Sequence, residues 1–202
     1  MLVYGLTGGI GAGKSVVREM FAASAIPTFD ADEIGRKLLE ADLALVREVL
    51  RMFPGCENAN QSLDRQALAV RVFSDPAARR RLEDLLHPAI LSRFRLELER
   101  LPRPRPVFCV LEGALLGDTR TRFPLVGLIV VTAPAALRLQ RASERPGADP
   151  NSAQARLEVQ RPQAEKLARA THWIDNSGSL QDTERQFRCV LASIQKECGG
   201  PV

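Results

Sequence analysis

Gly8-Gly9-Ile10-Gly11-Ala12-Gly13-Lys14-Ser15 constrains this chain more than any other stretch. It satisfies G-x-x-x-x-G-K-S/T, and its setting matters as much as its letters. The β-prone apolar run LVYGLT at residues 2–7 precedes it, and Val16, Val17, Met20 and Phe21 follow at helical spacing. A strand, a glycine-rich turn and a helix in that order let backbone N–H groups curl around phosphate oxygens, while the helix N-terminus adds positive potential. In such a loop Lys14 reaches the β- and γ-phosphates, and the Ser15 hydroxyl can hold Mg2+.

A chain of 202 residues makes about one domain with room for a sizeable insertion. With 45% hydrophobic and 26% charged residues it can build a core, which excludes bulk disorder. A net charge of +4 suits anionic partners, and small phosphates satisfy it as well as nucleic acid does. Only Lys14, Lys37, Lys166 and Lys196 are lysines among the 28 basic residues, so each arginine has to be argued by position. Cys56, Cys109, Cys189 and Cys198 lack metal-ligand or CxxC spacing and read as reduced thiols. Neither a secretory leader nor an apolar stretch of about 20 residues is present, so the expectation is a cytoplasmic chain without a membrane span.

Further along, Pro27 forces extended backbone before Phe29, predicting a second short strand. From about Ala31 to Leu101 the pattern is helical, in LLEADLALVREVLRMF, LDRQALAVRVF and a stretch around AARRRLEDLL. Pro54-Gly55, Ser74-Asp75-Pro76 and His87-Pro88 punctuate these as turns or helix starts. PRPRP at 102–106 is a stiff connector, and VFCVLEG and VGLIVVTAP read as buried strands of a parallel sheet. Residues 134–144 are helical, Pro146-Gly147 and Asp149-Pro150 break the pattern at an exposed lid, and another helix runs to about Gln160. THWID predicts a last strand with Trp173 in the core, and an amphipathic helix closes the chain from about Leu180 to Lys196.

A phosphate loop alone does not separate kinases from other nucleotide hydrolases. The chain has no N-K-x-D guanine-reading sequence, which disfavours a GTPase, and its length and helical insertion disfavour a motor ATPase. A small-molecule kinase fits better. Asp30 and Asp32 fall just beyond the second predicted strand, at the carboxyl edge where open α/β sheets bind ligands. One of them can accept a hydroxyl proton or hold Mg2+ through water; alternatively both cap the following helix. Glu112 ends a core strand and either supports a Mg2+ water shell or the acceptor, or caps a helix. His87 either touches an acceptor or marks a structural turn. The Arg79-Arg80-Arg81 run reads as a solvated helix face, since few aromatics and no recognition motif support a nucleic-acid contact.

GLTGGIGAGKS followed by DADEIGR resembles the dephospho-coenzyme A kinase family, as do His87-Pro88 with Ile90, LQRASER, ARLEVQ with Lys166, and IDNSGS. The resemblance covers most of the chain. It departs at the third strand, where only Glu112 of the family's Pro-Leu-Leu-aromatic-Glu run is kept, and at Val126, Thr132 and Thr171, where acidic residues are common.

The resemblance implies a P-loop kinase fold of three α/β/α layers with a mostly parallel sheet. Its core would span about 1–30, 105–140 and 167–202, with a helical acceptor-binding insertion at 31–104 and a lid at 141–166. It implies transfer of the ATP γ-phosphoryl to the ribose 3′-hydroxyl of dephospho-coenzyme A with Mg2+, by a monomer. Gly9, Gly11, Ala12, Gly13, Lys14, Ser15 and Val16 would bind ATP, and Asn176 and Gly178 would flank the adenine. Asp32 would be the base, Ser15 the metal contact, and Arg141 and Arg145 the clamp on the transferring phosphoryl alongside Lys14. Asp32, Arg36, His87 and Glu112 would meet the acceptor. Another small-molecule P-loop kinase and a non-catalytic nucleotide-binding protein are the alternative readings.

Overall fold

A computed structural model describes residues 1–114, 116, 123–144 and 163–199. Five strands form one parallel sheet: β1 (Leu2–Gly8), β2 (Thr28–Asp30), β3 (Phe108–Glu112), β4 (Gly127–Thr132) and β5 (His172–Asp175), in the order β2-β3-β1-β4-β5. β3 and β4 are buried along their whole length, and β1 from Val3 onward. Strands covered on both faces need continuous apolar runs, which is why FCVLE and GLIVVT show no polar alternation.

Among the described residues the helices are α1 (Lys14–Ala23), α2 (Ala31–Ala41), α3 (Leu43–Met52), α4 (Arg65–Ser74), α5 (Pro76–Glu99), α6 (Ala135–Ser143), α7 (Gln163–Leu167) and α8 (Leu180–Glu197). None of the described helices is long and apolar enough to cross a membrane. The chain divides into two compact units, Met1–Asp30 with Pro102–Val202, and Ala31–Leu101.

In the first unit α1 and α8 pack beside the sheet, joining Val17, Phe21, Phe187, Val190 and Ile194 to Tyr4, Leu6, Ile129 and Ile174. Phe21 meets Phe187 edge-on at 4.8 Å between ring centres, the arrangement that ring quadrupoles favour. Ser179 and Asp182 form a reciprocal capping box that fixes where α8 starts. All four cysteines are free thiols, and burial pushes Cys109 up to about 12, so it stays neutral.

The second unit has its own core of Val49, Phe53, Cys56, Leu68, Ala78 and Leu82. Two helix boundaries differ from the sequence expectation. The run LLEADLALVREVLRMF is split, because the Asp42 carboxylate accepts from Ala44 N–H at 3.1 Å and Leu45 N–H at 3.0 Å and starts α3 as a separate helix. Conversely, His87-Pro88 ends nothing: α5 runs 24 residues with Pro88 inside. Proline deletes one helical hydrogen bond, but Leu82, Ile90 and Phe94 keep one face buried on both sides of it, and α2 and α4 pack along that helix.

Trp173 corrects another expectation. It is 60% exposed, whereas His172 and Ile174 of the same strand are buried. β5 is an edge strand, and its alternation turns Trp173 and Asp175 outward.

Candidate active site

The phosphate loop runs from the end of β1 into α1. Its turn is closed by Ala12 N–H donating to the Gly9 carbonyl at 3.1 Å. Gly13, at φ 90°, hands the chain to α1, whose start carries neither a side-chain cap nor an acidic residue in its first turn. The helix therefore presents its N–H groups and partial positive charge without a competing carboxylate, as an anion site requires. Lys14 reaches back across the loop and donates to the carbonyls of Gly8 at 3.3 Å and Gly9 at 3.4 Å. Ser15 and Val16 lie half-buried in the first turn of α1.

Several elements hold the loop from outside. Asn176, buried just past β5, donates from Nδ2 to the Ala12 carbonyl at 2.9 Å and accepts at Oδ1 from the Thr183 hydroxyl of α8 at 2.8 Å. Arg141, in the last turn of α6, donates from Nη1 to the Asn176 carbonyl at 2.9 Å. Gly178 lies in the turn between β5 and α8, beside Asp182. Arg138, one turn before Arg141, packs directly on the loop: a Cβ at Gly9 would overlap its guanidinium, and one at Gly11 its backbone carbonyl oxygen. The desolvation of that guanidinium lowers its pKa from the ordinary arginine value.

Gly11→Ala follows as a sharp test. Gly11 sits at φ +71°, which costs a non-glycine residue about 1–2 kcal/mol, and the overlapping atom is backbone that cannot rotate away. ATP binding is expected to fall by at least about tenfold. Gly55→Ala is the control, since Gly55 has φ +85° but nothing within 4 Å. Titration calorimetry reads the loss of ATP binding in Gly11→Ala, and thermal melts of both variants separate the steric cost from the conformational one.

At the carboxyl edge of the sheet, Glu112 on β3 stands in register with Asp30 on β2 and Leu6 on β1. Arg18 of α1 holds the Glu112 carboxylate at 2.7 Å. Two neighbouring carboxylates at one edge repel, and a guanidinium between helix and strand offsets that.

Oxygen chemistry decides whether Mg2+ suits this site. Among the described residues no group of three His, Cys, Asp or Glu could cage a metal. Mg2+ ordinarily takes few protein ligands and keeps phosphate and water oxygens, so one hydroxyl at the helix start is a fitting donor, and Ser15 supplies it.

Asp32, Arg36 and His87 belong to the second unit. Asp32 is exposed in the first turn of α2, inside the helix rather than at its cap. Arg36 pairs with Glu33 at 3.6 Å and Glu40 at 3.7 Å along the same helix, and His87 is half-buried in α5. Arg145 and most of the expected lid lie outside the described residues.

Arg18, Arg138 and Thr183 carried no sequence signal, since each acts through a partner distant in the chain. Lys166 stood out only within the family-like stretch.

Relatives close the argument. The dephospho-CoA kinase family model matches residues 2–182. A Syntrophotalea carbinolica protein named dephospho-CoA kinase is 36% identical over 100% of this chain and 96% of its own length. One from Methylococcus capsulatus is 40% identical over 92% of this chain and 93% of its own. A Campylobacter jejuni dephospho-CoA kinase structure superposes with a TM-score of 0.64 at 26% identity, covering 96% of this chain and 98% of that one. A shikimate kinase from Acinetobacter baumannii, at 15% identity and a TM-score of 0.52 over 98% of this chain and 94% of its own, shares the fold alone. With its phosphate loop at an uncapped helix start, its five parallel strands and relatives alike from end to end, the chain belongs to the dephospho-CoA kinase family.

Proposed function

We propose that this protein transfers the γ-phosphoryl group of ATP to the ribose 3′-hydroxyl of dephospho-coenzyme A, giving coenzyme A and ADP. The observation that carries the reading is the phosphate loop: an open helix N-terminus with Lys14 already drawn across it by the Gly8 and Gly9 carbonyls. Such transfer depends mainly on positioning and charge neutralisation. The loop N–H groups and Lys14 hold the β- and γ-phosphates, and the turn of Asn176 and Gly178 flanks the adenine. Asp32 accepts the proton of the attacking hydroxyl. Arg141 and Arg145 draw charge from the moving phosphoryl, for which Arg141 has to exchange its bond to the Asn176 carbonyl. Arg36 and His87, with Glu112, orient the acceptor.

Ser15 is the residue that would hold Mg2+, which when bound neutralises phosphate charge. We place the protein in the cytoplasm as a monomer.

The test is Mg2+-dependent ADP release with dephospho-coenzyme A as acceptor, with the product identified by mass and its phosphate located on the ribose. Acceptor-dependent release with one added phosphate is the expected result. ATP binding without turnover on this acceptor would overturn the assignment of the acceptor and keep the nucleotide site.

A further inference from the structure

Lys166 is 7% exposed on the short helix α7, which packs against β1 and β4. Its ammonium donates to the Gly8 carbonyl at 3.4 Å and to the Ala114 carbonyl at 3.0 Å. Gly8 opens the phosphate loop, and Ala114 lies two residues past the end of β3. The Thr7 hydroxyl donates to the same Ala114 carbonyl at 3.3 Å, so the end of β1 and the exit of β3 are stitched together at that point. The Gly8 carbonyl is also the one that Lys14 uses, at 3.3 Å. Two of the four lysines in a chain with 28 basic residues thus converge on a single oxygen.

Ordering a long lysine stem costs side-chain entropy, and burying its charge costs desolvation. An ammonium projects three donors from one point and can bridge carbonyls converging from different elements, which a planar guanidinium does less well. What the bridge fixes is the position of the Gly8 carbonyl. Since that carbonyl also fixes the Lys14 ammonium, the two lysines are coupled through it.

We propose that Lys166 is a positioning residue for the phosphate loop. It anchors the Gly8 carbonyl to the segment after β3, and so presets where Lys14 meets the nucleotide phosphates. The inference rests on the nucleotide reading of the loop and does not depend on which acceptor is used.

The experiment is a double-mutant cycle on the full chain, reading ATP affinity by titration calorimetry without acceptor. It uses the unsubstituted protein, Lys14→Met, Lys166→Met and the double variant. Residues that act as one unit give non-additive losses. Lys166→Met is expected to weaken ATP binding about tenfold when Lys14 is present, and to add less than about twofold once Lys14 is gone. A merely structural role would lower affinity by the same factor in both backgrounds, and that result overturns the proposal, as does a loss below about twofold with Lys14 present. Lys166→Gln, which keeps a donor for the carbonyls, runs through the same cycle with a smaller expected loss and carries the test if the methionine variant does not fold. Failure of the unsubstituted protein to bind ATP overturns the nucleotide reading and this inference with it. ATP binding without phosphorylation of dephospho-coenzyme A removes only the acceptor.

Discussion

Asp32→Asn is expected to lower turnover by about 10²–10⁴-fold, the usual contribution of a positioned general base, while ATP affinity changes by less than about threefold. The substitution keeps the shape of the side chain and removes its negative charge along with its capacity to take a proton. Its cost to the fold is small by comparison. Asp32 sits with Glu33 in the first turn of α2, where a carboxylate gains about 0.3–1 kcal/mol from the helix dipole. The expected loss of rate corresponds to about 3–5 kcal/mol of barrier, so the two effects separate cleanly. Steady-state kinetics in both substrates, ATP titration and a thermal melt on the same preparation make the comparison. Turnover near that of the unsubstituted protein would take Asp32 out of the base role and turn attention to Asp30, which stands in register with Glu112 at the sheet edge.

Lys14→Ala comes next in size. Its ammonium is held by the Gly8 and Gly9 carbonyls, so the charge is in place before any phosphate arrives. Preorganised charge of this kind typically supplies about 10²–10³-fold in rate, and that is the expected fall in kcat. Alanine is the best helix former, so α1 should not suffer from a change at its first residue. ATP affinity should fall as well, because the same ammonium neutralises charge in the ground state. A melting temperature within about 2 °C of the unsubstituted protein would show that the loss is electrostatic. Unchanged turnover would remove the loop from the chemistry.

Legibility from sequence followed the range of the interaction. The phosphate loop was readable because strand, turn and helix are contiguous, and each residue's task is set by its immediate neighbours. The apolar runs of β3 and β4 were readable for a similar reason, since burial on both faces leaves no room for polar alternation. Pro88 was misleading. A local rule ends a helix there, but the buried face of α5 carries it through, and only packing against α2 and α4 supplies that face. Trp173 was misleading in the opposite sense, because composition cannot tell an edge strand from a central one.

By itself the sequence determined a nucleotide-type phosphate site at the start of a parallel α/β sheet, the helical character of residues 31–101 and membership of one kinase family. The first two follow from local backbone chemistry and the periodicity of apolar residues, and the family follows from the resemblance of the chain's motifs. Tertiary structure alone decided that Arg18 holds Glu112, that Arg138 closes on Gly9 and Gly11, and that Asn176 ties the loop to α8. It also decided that Lys166 meets Gly8 across 158 positions of chain. Each of these joins groups that no pattern along the chain relates, because their distance in space is fixed by the order in which the strands pair.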